Sequence, residues 1–448
     1  MIIDCKSCGM SYDEKEYSMC PYCGHEPVKE SEKIEVKSRK QEEKSKDIAE
    51  PEVVRVRASG NSIKYILIGL AILVAIAAAV YIFVDFGDSG VTVPDKYATI
   101  QEAIDAAEDG DEIIVQIGVY RENIDFKGKN IILRSTDPSD PSIVAETIID
   151  GRDSGTVVSF RSGEGEGAIL DGFTVTRGSG ILISGGSSPV IQNCIIEDNT
   201  AEYGAGVAIF DSAPSILNNI ITNNSGFLGG GIFIEESSPL VDGNEISRNR
   251  AEMGSGIVII SNSAPMVTNN IIADNVATRL GGGLVVALSS TPTIRGNTIT
   301  GNVAERNGGG VLIEESEPVI EDNTISRNRA ANGGGFFVVN SLNSALQVIG
   351  NNIANNLAYI AGGGFYMEGS SPTLDGNSFI DNISEYLGGG LAIYNSSPVI
   401  LRNIFESNQA GIPEGGGAIW VSEDSILELN ENDSNTYTLN LPNDIFWE

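Results

Sequence analysis

The chain contains one histidine, His25, and a single cysteine after Cys23, Cys194. Without a histidine beyond residue 25, a Ser-His-Asp triad cannot be assembled in the rest of the sequence. Without a partner for Cys194, that same stretch can hold no internal disulfide. Basic side chains are scarce: 28 Lys and Arg face 61 Asp and Glu, for a formal charge of -33. Residues 1–64 are nearly balanced, so the acidity lies beyond residue 84, where it should repel nucleic acid, and no nucleic-acid partner is expected. Long apolar runs are also missing, apart from one at 65–84. Elsewhere apolar residues come in groups of three to five, too short and too alternating for helices.

Glycine is what the chain has in excess, 52 of 448 residues against a usual share of about 7%. A repeat of roughly 26 residues explains it. Prolines mark its origin at 189, 214, 239, 265, 292, 318, 372 and 398, with Leu346 in register where one copy lacks it. Five residues on stands an Asn, from Asn219 to Asn403, with Cys194 the exception in the first copy. Ten residues on stands an Asn in all nine copies, from Asn199 to Asn408. An apolar column runs between them, followed by a glycine cluster such as 229–231 and a short strand such as 232–235. Three short strands per copy, bounded by Gly, Ser-Pro and Asn turns, describe a three-sided coil. Stacked coils place like residues over like, about 4.8 Å apart, so inward Asn side chains can bond the turns and one another as ladders.

This pattern resembles the right-handed parallel β-helix family, the fold of pectate lyases and many prokaryotic surface proteins. The run TIQEAIDAAEDGDEIIVQIGVYREN, from Thr99, resembles the opening shared by pectinesterase-like and other β-helix proteins. Within it Thr99 is placed to cap a helix through Ile100, Ala103, Ile104 and Ala107, covering the open end of the solenoid. The expected fold is all-β: a right-handed parallel β-helix with a capping helix, plus a small zinc ribbon and one transmembrane helix. Its expected segments are a zinc ribbon (1–25), a disordered charged linker (26–62), a membrane span (63–84), a cap with irregular first coils (89–188), regular repeats (189–429) and a C-terminal cap (430–448).

Cys5-x-x-Cys8 and Cys20-x-x-Cys23 resemble the short zinc ribbons of prokaryotic proteins, and four thiolates so spaced can hold Zn²⁺ tetrahedrally. Two disulfides or chance are the alternatives, but so small a segment has no core and needs a metal to fold. The uncharged run is long enough to cross a bilayer. Arg55, Arg57 and Lys64 precede it, and Asp85 and Asp88 follow, which puts the N-terminus in the cytoplasm and the β-helix outside the cell membrane.

In enzymes of the resembled family the substrate lies along the strand after the longest turn, here the one after the glycines. Alternation on that strand gives an outer column of Ala208, Phe233, Val258, Val285, Leu312, Phe337, Tyr366, Ala392 and Ile419. Beside it run Phe210, Glu235, Ile260, Ala287, Glu314, Val339, Glu368, Tyr394 and Val421, and the preceding turn offers Tyr203, Phe227, Arg279, Arg306, Tyr359 and Tyr386. Contiguous exposed apolar surface marks a contact. Candidate ligand-binding residues are therefore Phe233, Leu312, Phe337 and Tyr366, with Tyr359, Tyr386, Glu235, Glu314 and Glu368. Shielding of this face by the preceding turn, or a strand phase shifted by one residue, is the competing account.

Catalysis has weaker support. Glu235 and Glu314 are three coils apart, about 14 Å, and Glu314 and Glu368 two, about 9.6 Å, outside the roughly 5 to 9.5 Å of paired glycosidase carboxylates. Histidine-dependent sites of the family have no counterpart. Arg248 and Arg327 in matching Ser-Arg-Asn-Arg turns could act as bases, though a repeated solvated turn explains them better. The expected function is a membrane-anchored surface protein binding glycan or another surface protein, with an unknown cytoplasmic partner for the ribbon. The alternatives are a lyase or glycosidase, and a passive stalk. Sequons stand at Asn223, Asn382, Asn395 and Asn432. The cysteine spacing generates the first prediction: metal analysis of the purified chain should return about one zinc. Less than half an equivalent, with all four thiols reduced, would end the assignment.

Overall fold

In the computed structural model, residues 91–341, 346–427 and 434–448 are described, together with the backbone of Ile2–Asp4 and Ser11–Asp13. Those two strands pair antiparallel, Ile2 opposite Asp13. The expected zinc ligands Cys5, Cys8, Cys20 and Cys23, the linker and the span lie outside the described residues. Among the described residues no helix is long and apolar enough to cross a membrane. The chain divides into two units, Met1–Asp85 and Phe86–Glu448.

The second unit is a parallel β-solenoid. Three sheets of thirteen strands each form its faces. The first face runs from Val91–Val93 to Val399–Leu401, the second from Gly118–Tyr120 to Thr436–Thr438, and the third from Ile124–Asp125 to Ile445–Trp447. All pairs are parallel and in register, as in Ile191 to Ile216 to Val241 to Val267. A fourth sheet of nine strands, one per regular repeat, was not anticipated. In one coil the order is Leu240–Asp242, Glu245–Ser247, Arg250–Met253 and Ile257–Ile260, the third of these being the fourth-sheet strand. The three-sided expectation is thus corrected: what looked like a long turn before the glycines is itself a strand.

Each face sends alternate side chains inward, so Val241, Ile246, Ile257 and Ile259 of that coil are fully buried in one continuous core. Seven-residue helix α1, Ile100–Ala106, seals one end. Thr99 accepts a hydrogen bond from the Glu102 N–H at 3.1 Å, and Ile100, Ala103 and Ile104 face the core. A second short helix, α2, Pro141–Glu146, is capped by Asp140 and buries Val144. At the other end the expected cap at 430–448 is a further coil. Thr436–Thr438 and Ile445–Trp447 extend two faces, and Tyr437 stacks on Phe405 with ring centroids 5.3 Å apart.

The corners hold the solenoid together. At one, the Asn275 backbone N–H and its Nδ2 both donate to Asn302 Oδ1 at 3.0 Å, while Asn302 Nδ2 donates to the Ile272 carbonyl at 2.8 Å and to Asn328 Oδ1 at 3.1 Å. The same arrangement repeats from Asn199 to Asn440. The companion ladder runs from Asn219 to Asn435. Cys194 stands where that ladder begins. Its N–H donates to Asn219 Oδ1 at 2.9 Å, and burial pushes its thiol up to about 12. The third corner has a serine ladder, missed by the sequence reading: the Ser237 N–H donates to Ser263 Oγ, and Ser263 to Ser290, at 3.1 and 3.3 Å. Its signal is a Ser two residues before each origin proline.

Replacing Asn302 with Ala strands the Asn275 N–H and removes the acceptor of one Asn275 Nδ2 hydrogen in a dry interior, each costing about 1 to 3 kcal/mol. Asn302→Ala should therefore lower unfolding stability by about 3 kcal/mol or more. The exposed Thr278→Ala should stay within about 0.5 kcal/mol, as read from denaturant titration.

Candidate functional site

The third-face column was expected to be a binding surface. Its phase along the regular array is as anticipated: Ile232 and Ile234 lie in the main core and Phe233 points away from it. Its exposure is corrected. Phe233, Leu312, Phe337 and Tyr366 are 1%, 2%, 7% and 8% exposed, because the fourth sheet folds over them. They form a second core with Val258 and Val285, bordered by Leu228, Leu280 and Leu387 of the covering strands and their junctions. Phe337 and Tyr366 stack with centroids 4.9 Å apart, and the series continues through Tyr394 to Trp420. At that end the expected register slips by one: Trp420, not Ile419, follows Ala392, and Val421 pairs with Ile393 on the inner side. The longer connection before this strand displaces the count.

Glycine makes the covering possible. Gly254 has φ +61, and a Cβ there would overlap the Val258 side chain, so only glycine lets the fourth-sheet strand fold back onto the column. The column beside it is half-covered. Glu235 accepts from the Ser261 hydroxyl at 3.2 Å, Glu368 accepts from the Tyr366 hydroxyl at 3.0 Å, and Glu314 is half-buried. Strand pairing keeps these glutamates in separate coils, with Val339 between Glu314 and Glu368. Burial, with Glu368 as the next cause, raises the Tyr366 hydroxyl above its ordinary range. Tyr394 is pushed up to about 12, first by burial and then by Glu448 and Glu368.

The outer side of the fourth sheet is the exposed counterpart. Tyr359 and Tyr386 are 41% and 50% exposed, with Ile360 beside them, and Phe227 is exposed toward α1, while Tyr203, in register with Leu228, packs its ring on Phe233 with centroids 5.3 Å apart. Between Phe227 and Tyr359 lie exposed arginines, with Arg279 bonded to the half-buried Glu252 at 2.6 Å. Inward, Ala277, Ala304 and Ala330 pack the strands tightly onto the body. Among the described residues no three His, Cys, Asp or Glu side chains converge as a metal site. Of the sequons, Asn382 is a fully buried ladder residue and closed to modification, Asn223 and Asn395 are exposed, and Asn432 lies outside the described residues.

The family model described as right handed beta helix region matches residues 119–239, 165–310, 226–359 and 282–440, most of the chain. The chain belongs to the right-handed β-helix family. No curated protein matches this β-helix chain by sequence. Among solved structures it is similar to the Azotobacter vinelandii mannuronan C-5 epimerase AlgE6 A-module, at 12% identity and a TM-score of 0.37, covering 78% of this chain and 94% of that one. It is also similar to the catalytic domain of a GH87 alpha-1,3-glucanase, at 11% identity and a TM-score of 0.29, covering 80% and 68%. A third likeness, to the PL6 family alginate lyase AlyGC, has 13% identity and a TM-score of 0.26, covering 78% and 53%. These likenesses carry no argument about activity.

Burial of the second core in this β-helix sets a stability prediction. Phe337→Ser should cost about 3 to 5 kcal/mol, as emptying a packed aromatic site does. Tyr359→Ser, on the outside of the covering sheet, should stay within about 0.5 kcal/mol. Thermal melts of the two variants separate the buried column from the exposed one.

Proposed function

We propose that this protein is a single-pass membrane protein with a cytoplasmic zinc ribbon held by Cys5, Cys8, Cys20 and Cys23, and an extracellular β-helix that binds glycan without cleaving it. The ribbon would engage a cytoplasmic partner. The glycan surface is the outside of the fourth sheet, not the column beneath it. The observation carrying this reading is the exposure of Tyr359, Ile360 and Tyr386 on adjacent coils of the sheet, with Phe227 exposed on the same sheet farther along. Flat rings held in fixed positions offer stacking area at little cost in side-chain entropy, which suits sugar rings.

A catalytic reading has one observation in its favour. Glu197 is the one carboxylate held above its ordinary range among the described residues with a resolved shift, first by burial, then by Asp198, with Arg248 opposing. A raised carboxyl is what a general acid needs. Its counterparts in the flanking coils are Thr176 and Thr222, neither of which supplies the second carboxylate in that column.

A glycan array followed by product analysis decides between the two readings. Binding with no shortened product is expected, and Tyr359→Ser with Tyr386→Ser should weaken it by about 1 kcal/mol or more per ring. Product release that disappears in Glu197→Gln would instead establish an enzyme.

A further inference from the structure

Beyond residue 178 the solenoid has eight arginines and no lysine. Two of them, Arg295 and Arg402, are neutralised by Asp322 and Asp375. The remaining six, Arg248, Arg250, Arg279, Arg306, Arg327 and Arg329, all fall within four consecutive coils, at the corner that leads into the fourth sheet or on and just after its strands, and all are exposed. Strand pairing runs Arg250 to Val276 to Val303 to Arg329, so these two guanidinium groups are three coils, about 14 Å, apart. Arg279 and Arg306 occupy the two coils between them. Within the group only Arg279 has a carboxylate within ion-pair distance among the described residues, Glu252 at 2.6 Å. Glu252, Asp274 and Glu305 are the acidic residues interleaved on the same strands and corner. Six cations against three anions make a locally positive band on a chain whose formal charge is -33.

A solenoid rich in carboxylates could neutralise these arginines with its own side chains, as it does Arg295 and Arg402. Leaving five without an ion pair keeps their planar donor forks free for an outside anion. The band is flanked along the solenoid axis by exposed aromatic side chains, Phe227 on one side and Tyr359 with Tyr386 on the other. From Phe227 to Tyr386 spans six coil steps, about 29 Å. Long-range repulsion from the acidic body is screened over about 8 Å at physiological salt, so at contact the band governs what can bind.

We propose that the ligand of this surface is a linear anionic glycan, carrying carboxylate or sulfate groups, laid along the solenoid axis with its charges on the arginine band and its sugar rings on the flanking aromatics. This rests on the glycan-binding reading above and specifies its substrate class. The test uses the full chain in detergent, with a polyuronate, dextran sulfate and unmodified dextran as probes. Both charged polymers, or whichever carries the matching anion, should bind more tightly than dextran, and their affinity should fall as salt is raised. Arg250→Gln, Arg306→Gln and Arg329→Gln combined should weaken the charged polymers by about tenfold or more, the worth of at least one charge-assisted hydrogen bond. Arg295→Gln with Arg402→Gln removes two charges elsewhere and should leave binding unchanged. The band variant replaces exposed, unpaired side chains, so its melting temperature should match the parent, and Arg306→Gln alone provides a milder version. Equal binding of dextran and the charged polymers, or an unaffected triple variant, overturns the anionic assignment while leaving glycan binding in place. Failure to bind any of the three polymers overturns both.

Discussion

A coil that turns its corners every 26 residues or so must find partners for the backbone groups each corner strands in a dry interior. Here the partners come from the coil above or below. Each ladder Asn takes two N–H donors on its Oδ1 and gives both Nδ2 hydrogens away, so one residue type satisfies its neighbour's amide and a strand carbonyl together. Neither Asp nor Leu can do this: one lacks the donors, the other both functions. The serine ladder performs a smaller version at the third corner, where one N–H must be met. Because every rung depends on the next, coils cannot slip by a residue without breaking three ladders at once. The in-register stacking of Ile on Ile follows.

That register is what made the fold readable. The proline origin, the two Asn columns and the glycine cluster are spaced by the coil itself, and a residue inside the solenoid has no freedom to depart from its column. Cys194 is the instructive exception, since it stands where its ladder starts and has no preceding Asn to receive. The serine column was equally periodic, but two residues before a proline it reads as ordinary turn chemistry.

The site was less legible, for a physical reason. Strand alternation correctly set Phe233 and Phe337 apart from the main core, yet alternation says only which way a side chain points, not what lies over it. The covering strands, such as Arg250–Met253 and Val276–Leu280, are neither alternating nor strongly apolar, and their only core contacts are alanines and one terminal aliphatic residue. Such a segment carries a loop's composition. Its glycines were visible, but the consequence of Gly254 lying against Val258 appears only when the strand is folded back. Aromatic residues that looked like a ligand platform are the second core, and the residues that look outward belong to what was taken for a turn.

The fourth sheet also shows where this architecture is free to vary. Its inner position stays small, Ala277, Ala304, Ala330 and Ala358, because the strand must lie close to the body. Two residues before the glycine cluster the column reads Glu252, Arg279, Arg306, Ala331, Ile360 and Tyr386, with no repetition in size or charge. An extra residue enters between Ala277 and Leu280, and again between Ala358 and Ala361, shifting the ladder without disturbing the faces below. A repeat preserved in the Asn and Ser ladders and abandoned in the outer column of the fourth sheet separates two demands on the sequence. The ladders and cores demand sameness, since like must stack on like. A ligand spanning several coils demands difference, because cations and rings must each stand at their own height along the axis, and the outside of the fourth sheet is a surface on which difference leaves the core untouched.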